Sequence, residues 1–213
     1  MQRIHIVAGG PEYLIPELHF QDEDIVVGVD EGVKFLANRN IAPNAAFGDF
    51  DSISSQEFSS IINDPNIRTY TFEQEKDMTD LELAVRWGLE QLPDMVVLYG
   101  VTGGRLDHEL INIQMMSLGL EHDIAMKIID TKNEIEIKNP GKYTVEIRSD
   151  LPYVSFVPFS QLVKGINLEG FRYPLYDADL VFGSTLCISN ELVTKKGTYS
   201  FDDGILMMVR SKD

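Results

Sequence analysis

Four short runs in the first half of the chain place carboxylates, glycines and a guanidinium where a strand should give way to a helix. They are Asp30-Glu31-Gly32, Gly48-Asp49-Phe50-Asp51-Ser52, Lys76-Asp77-Met78-Thr79-Asp80 and Gly103-Gly104-Arg105-Leu106-Asp107-His108. Taken singly, each has an ordinary explanation. Asp and Ser favour turns and caps, Asp77 and Asp80 complement a helix dipole, and Asp107 with His108 is a polar helix start. Taken together, they gather hard oxygen ligands where open α/β sheets collect their ligands. Magnesium favours such oxygens in octahedral geometry, keeps several waters and takes one or two carboxylates beside substrate phosphates. Asp49 and Asp51 could face one ion if Phe50 turned into the core, with Asp77 or Asp80 completing the shell from a neighbouring loop. An acidic pocket repels a bare triphosphate, so a Mg²⁺ cofactor is expected to accompany the nucleotide.

Gly103-Gly104-Arg105 supplies what carboxylates cannot: a loop without side chains that can approach phosphate, then a guanidinium and the positive end of a helix. No Gly-Lys-Ser/Thr follows, so this is not a Walker A loop. Asp30, Lys76, Thr79, Gly103, Gly104, Arg105 and His108 make up the expected nucleotide-binding set, with His108 as a positioning group. Gly9-Gly10 offers a similar phosphate loop, for which an ordinary turn is sufficient explanation.

Behind these runs stand elements of two textures. Ile4-His5-Ile6-Val7, Ile25-Val26-Val27-Gly28-Val29 and Met95-Val96-Val97-Leu98-Tyr99 read as short buried strands. Thr79-Asp80-Leu81-Glu82 is a capping box, followed by Leu81, Ala84, Val85, Leu89 and Leu92 at helical spacing until Pro93. A second helix is expected from about 106 to 118, with Leu106, Leu110, Ile113 and Met116 or Ser117 on one face. Strands alternating with helices imply a mainly parallel sheet with right-handed crossovers. After about His122 the runs 124–130, 134–138, 143–148, 153–158 and 204–210 are strand-like and separated by Gly, Pro, Asn and Asp. The expectation is an α/β domain over 1–122 and an all-β sandwich over 123–213.

The formal charge is −16, and residues 1–120 carry 7 Lys and Arg against 20 Asp and Glu. Nucleic-acid binding is excluded on this count, since affinity for phosphate backbones comes from clustered basic residues. No apolar run is long enough to span a membrane, no signal-peptide pattern opens the chain, and a cytosolic protein is expected. Cys187 is the single cysteine, set between Leu186 and Ile188 as a buried structural thiol would be.

The ordered set Gly48-Asp49-Phe50-Asp51-Ser52, Glu75-Lys76-Asp77-Met78-Thr79-Asp80 and Gly103-Gly104-Arg105-Leu106-Asp107-His108 resembles the thiamine pyrophosphokinases. Leu168-Glu169-Gly170-Phe171-Arg172-Tyr173-Pro174-Leu175, Gly183-Ser184-Thr185 and Ser189-Asn190-Glu191 look like that family's C-terminal signature, so the resemblance covers nearly the whole chain. It implies a nucleotide-binding α/β domain, a thiamine-binding β-sandwich that dimerises, and a homodimer with active sites between subunits. ATP and thiamine would be substrates, thiamine diphosphate and AMP products. By the resemblance, Asp49, Asp51 and Asp77 hold Mg²⁺, Arg105 and Asp107 serve the nucleotide, and Ser189 and Asn190 serve thiamine. Tyr173 is a candidate aromatic face for the thiazolium cation. Asp80 and Asp107 are the candidate general bases. Met78 and Leu110-Ile111-Asn112 depart from the family pattern towards bulkier or more apolar residues.

Three other readings fit parts of the pattern. Asp49-Phe50-Asp51 could serve a phosphohydrolase of the haloacid-dehalogenase type, although Ile53 stands where Thr or Val is usual, or a nucleotide-sugar transferase. An all-β C-terminal half suits neither. The third is a non-catalytic thiamine or nucleotide sensor.

Overall fold

In the computed structural model the described residues are 1–48, 64–71 and 77–213. Contacts divide the chain into two units, Met1–Thr131 and Lys132–Asp213.

The first unit is built on strands β1 (Arg3–Val7), β2 (Ile25–Val29), β3 (Ala45–Gly48), β4 (Arg68–Thr71), β5 (Met95–Tyr99) and β6 (Ala125–Ile129). They lie in the order β4-β3-β2-β1-β5-β6, every pair parallel. β1 and β5 are apolar because both faces of a parallel sheet are covered, and four of the five residues in each are buried. Helices α1 (Glu31–Asn38), α2 (Asp80–Glu90), α3 (Leu106–Met115) and α4 (Ser117–Glu121) fill the connections. The 8–24 connection contains only a 3-10 turn at Glu12–Leu14, so it covers its face with side chains instead. Leu18 and Phe20 pack against a cluster including Phe35, Val97 and Tyr99.

The capping box forms by half. Thr79 Oγ1 accepts from the Glu82 N–H at 3.2 Å, but the Glu82 carboxylate turns forward to Arg86, 2.9 Å from Nε and 2.8 Å from Nη2. Leu81, Ala84, Val85 and Leu89 are buried as expected, whereas Leu92 is not. The helix ends at Glu90, and Leu92, just before Pro93, takes φ 54° and is exposed. The helix expected over 106–118 breaks at Met116 into α3 and α4. Its expected core face holds only at the C-terminal end: Met116 is buried and Ile113 half-buried, whereas Leu106 and Leu110 are exposed and Asn112 and Met115 are buried instead.

The second unit is all antiparallel. Its strands are β7 (Asn133–Lys138), β8 (Gly141–Glu146), β9 (Tyr153–Pro158), β10 (Leu162–Glu169), β11 (Leu175–Val181), β12 (Asn190–Glu191), β13 (Lys196–Phe201) and β14 (Leu206–Ser211). One sheet runs β12-β9-β14-β7 and the other β11-β10-β13-β8. Phe156 and Leu206 of the first meet Val163, Leu168, Tyr199 and Phe201 of the second in one core, which makes a sandwich. Cys187 lies in that core, where burial pushes its thiol up to about 11, leaving it inert at neutral pH. The division falls at 131/132 rather than the 122/123 read from the sequence, because β6 pairs parallel with β5. A strand's alternation does not tell which sheet it will join.

Two features of the first unit generate predictions. A Cβ on Gly32 would lie 1.9 Å from the Val7 carbonyl oxygen, so α1 can pack on β1 only with glycine there. Gly32→Ala is expected to destabilise by about 3 kcal/mol in urea unfolding. Beside Phe20, His5 is 2% exposed, with Nε2 3.2 Å from Asp24 Oδ2 and Nδ1 3.2 Å from the Tyr99 hydroxyl. Burial lowers its pKa below 6.5 against the opposing pull of Asp24. The unfolded chain therefore binds this proton more readily, and the stability from neutral His5 is complete above pH about 6.5 and lost below it. The urea midpoint is expected to fall more between about pH 7 and pH 5 for wild type than for His5→Gln. Equal falls would show that His5 does not control it.

Candidate active site

β1 has β2 on one side and β5 on the other, so the connections leaving β1 and β5 diverge at its carboxyl end. Such a switch point opens a crevice, and here it is a cleft of about 580 Å³ within the first unit. Its floor is backbone. The Ala8 N–H donates to Tyr99 O at 2.9 Å and the Gly10 N–H to Gly100 O at 2.8 Å. A Cβ on Gly10 would come within 2.5 Å of Gly100 O, so the Gly9-Gly10 turn is a close approach of two chains and also lines the cleft.

Asp30, the N-cap of α1, stands at the cleft with φ 49° and ψ −124°. Non-glycine residues rarely adopt that backbone, and such strain concentrates at functional sites. Its N–H donates to Phe47 O, and its carbonyl accepts from Val33 N. Thr79 and Asp80 enter from the start of α2, Gly104 and Arg105 from the loop after β5, and His108 from the first turn of α3. Of the expected nucleotide set, the structure therefore brings together Asp30, Thr79, Gly104, Arg105 and His108, with the candidate base Asp80 beside them. Gly103, Asp77 and Asp107 do not line the cleft, and Asp49, Asp51 and Lys76 lie outside the described residues.

Arg105 closes on Asp107, with Nη2 2.6 Å from Oδ2 and Nε 3.1 Å from Oδ1. The hydrogen bond from this guanidinium holds the Asp107 carboxyl below the usual range. A carboxyl held so is a weaker proton acceptor than an ordinary one.

Four polar cleft residues were given no site role from the sequence. Glu31 follows Asp30 into the lining. Glu109 Oε2 accepts the Gly103 N–H at 2.9 Å. Thr102 is pinned by Oγ1 to Asp130 Oδ2 at 2.8 Å, in a buried contact. Asn112 Nδ2 donates to Val101 O at 2.9 Å. Together these bonds fix the loop between β5 and α3. A signal existed for Asn112, an amide in the otherwise apolar run Leu110-Ile111-x-Ile113.

The lining holds the carboxylates of Asp30, Glu31, Asp80 and Glu109 against one guanidinium, Arg105. Among the described residues this is an oxygen-rich, net-negative lining with one imidazole, His108, which suits a hard divalent cation and opposes a bare polyphosphate. No group of three His, Cys, Asp or Glu converges on one point among the described residues.

In the second unit, Asn190 is 2% exposed and its amide clamps a backbone. Oδ1 accepts from the Tyr173 N–H at 3.0 Å, and Nδ2 donates to Tyr173 O at 2.8 Å. Tyr173 itself is exposed. Ser189 is exposed at φ 55°, its N–H donating to Ser155 Oγ at 2.9 Å. Asn190 is thus the support of Tyr173, and Tyr173 and Ser189 are the surface.

No described helix is long and apolar enough to cross a membrane. Residues 17–128 match the family described as thiamin pyrophosphokinase, catalytic domain, and residues 142–206 match thiamin pyrophosphokinase, vitamin B1 binding domain. The thiamine pyrophosphokinase of Bacillus subtilis (strain 168) is 46% identical over 216 residues, covering 100% of both chains. A crystal structure of thiamine pyrophosphokinase from Bacillus subtilis matches with a TM-score of 0.93 at 45% identity over 99% of each chain. One from Geobacillus thermodenitrificans matches with 0.89 at 41%, over 99% of this chain and 98% of that one. A switch-point cleft lined by Asp30, Asp80 and Gly104 and a β-sandwich unit, in a chain matched along its whole length by these relatives, place it in the thiamine pyrophosphokinase family.

Proposed function

We infer that the chain transfers a pyrophosphoryl group from ATP to the hydroxyl of thiamine, giving thiamine diphosphate and AMP, a reading carried by the full-length match to thiamine pyrophosphokinase. The cleft at the end of β1 and β5 takes the nucleotide, with Gly104 and the start of α3 towards the phosphates. Thiamine's hydroxyl oxygen attacks the β-phosphorus in line, the bond from that phosphorus to the α-phosphate oxygen breaks, and AMP departs with the electron pair. The hydroxyl proton passes to a carboxylate, and Asp80, which lines the cleft, is better placed for it than Asp107, which does not.

The family works with a divalent metal, and the net-negative oxygen lining fits Mg²⁺. Asp49, Asp51 and Asp77 would hold it, and what it supplies when bound is neutralisation of phosphate charge. The first unit is the nucleotide domain. The second binds thiamine, with the exposed ring of Tyr173 offered to the thiazolium and Ser189 beside the Asn190 clamp. The chain works as a homodimer in the cytoplasm. Support for the dimer comes from the exposed apolar side chains Leu106, Leu110 and Ile111 on α3 and Val181, Phe182 and Val193 in the sandwich unit. The phosphohydrolase, sugar-transferase and sensor readings have no support from the full-length relatives.

The decisive assay is AMP release from ATP that requires both thiamine and a divalent cation. Phosphate release without thiamine, or binding without turnover, would overturn the assignment. Asp49→Asn and Asp51→Asn are each expected to lower kcat by at least about 100-fold without changing Tm. Thiamine at about 100 times its Kd should stabilise wild type by about 2.7 kcal/mol, or some 5–10 °C in Tm. Tyr173→Ala should lose most of that shift while keeping its ligand-free Tm. In light scattering, Leu110→Glu with Ile111→Glu is expected to halve the mass.

A further inference from the structure

Asn112 is the one buried amide that the nucleotide site has not yet used on both ends. It is 8% exposed and lines the cleft. Nδ2 donates to the Val101 carbonyl at 2.9 Å. A carbonyl only accepts, so this bond fixes which end of the amide faces Val101 and turns Oδ1 the other way. Among the described residues, Oδ1 has no protein partner. Every fully enclosed side-chain nitrogen or oxygen there does have one, so Oδ1 is partly open, and the opening that Asn112 lines is the cleft.

The neighbouring groups are already engaged: Thr102 with Asp130, and Glu109 with the Gly103 N–H. Asn112 is left as an oriented acceptor, held by a buried bond and presented to whatever fills the cleft. Phosphate oxygens are acceptors themselves and do not pair with it. Position also argues against the phosphate end, because Asn112 lies six residues into α3, about 9 Å along its axis from Leu106. Parts of a nucleotide beyond the α-phosphate are what reach that far from the helix start.

We propose that Asn112, through Oδ1, reads a hydrogen-bond donor on the sugar or base of the bound nucleotide, either a ribose hydroxyl or the exocyclic amine of adenine. The proposal rests on the reading that the cleft holds ATP. It makes Asn112 a specificity-determining residue, because a nucleotide lacking the donor leaves a buried acceptor unsatisfied.

The test measures Kd calorimetrically, with Mg²⁺ and without thiamine, for ATP, 2′-deoxy-ATP, 3′-deoxy-ATP and purine riboside triphosphate, which lacks the amine. Wild type is expected to bind one of the three analogues roughly five- to tenfold more weakly than ATP, and that analogue identifies the donor. Asn112→Leu should weaken ATP by a similar factor and bind that analogue as wild type does, so discrimination disappears. If Asn112 merely braced Val101, the variant would weaken all four ligands alike and keep the wild-type pattern, which overturns the proposal. A wild type that binds all four equally overturns it without any variant. Gly104→Phe, which fills the cleft, separates the two levels. Unchanged ATP affinity there puts the nucleotide elsewhere and sinks both readings. Weakened ATP with persistent discrimination in Asn112→Leu sinks only this one.

Discussion

Backbone contact between the ends of β1 and β5 is the constraint from which the site follows. The Ala8 and Gly10 amides carry the parallel ladder past the last strand residues by bonding Tyr99 and Gly100 carbonyls. A Cβ on Gly100 would fall 2.3 Å from Ala8 O, and one on Gly10 2.5 Å from Gly100 O. Two chains without side chains can therefore run together as the cleft floor, and functional groups must come from the rims. Asp30 and Glu31 supply one rim, Thr79 and Asp80 a second, and the loop from Val101 to Arg105 the third.

Charge complements this geometry. Among the described residues the lining carries four carboxylates, Glu109 on α3 being the fourth, and one guanidinium, which is engaged by Asp107 just outside. An anion as dense as a triphosphate gains little from such a lining by itself. Backbone N–H groups, a helix start and accompanying cations must provide the attraction. This division of labour explains why so acidic a protein can handle one of the most highly charged small anions.

How much of this was legible in the residues varies with the kind of signal. β1, β2 and β5 announced themselves because strands buried on both faces are continuous apolar runs. Thr79 announced α2 because a cap is a local interaction, although Glu82 then preferred Arg86 to the reciprocal half of the box. The inward face of α3 was misread because helical spacing finds a stripe without saying what covers it. Leu106 and Leu110 form the stripe, yet Asn112 faces inward, held by a carbonyl no pattern reveals. β11 escaped notice because six of its seven residues are exposed or half-buried, with no clean alternation. In β10, Gly165 at φ 66° lies in a register shift that interrupts the two-residue period. Asp30, Asp80 and Arg105 were found from chemistry alone, since loops at strand ends keep their functional residues close to the glycines that shape them.

The Asn190 clamp separates two properties that usually travel together. Its amide satisfies both the N–H and the C=O of residue 173, as a neighbouring strand would, but with a side chain rather than main chain. The local path of the chain is thus encoded at position 190, while the surface chemistry is encoded at position 173. Substitution at 173 can change which ring or charge faces solvent without disturbing the support beneath it. Change at position 173 therefore alters what this surface offers a ligand, through one codon and with little cost to folding.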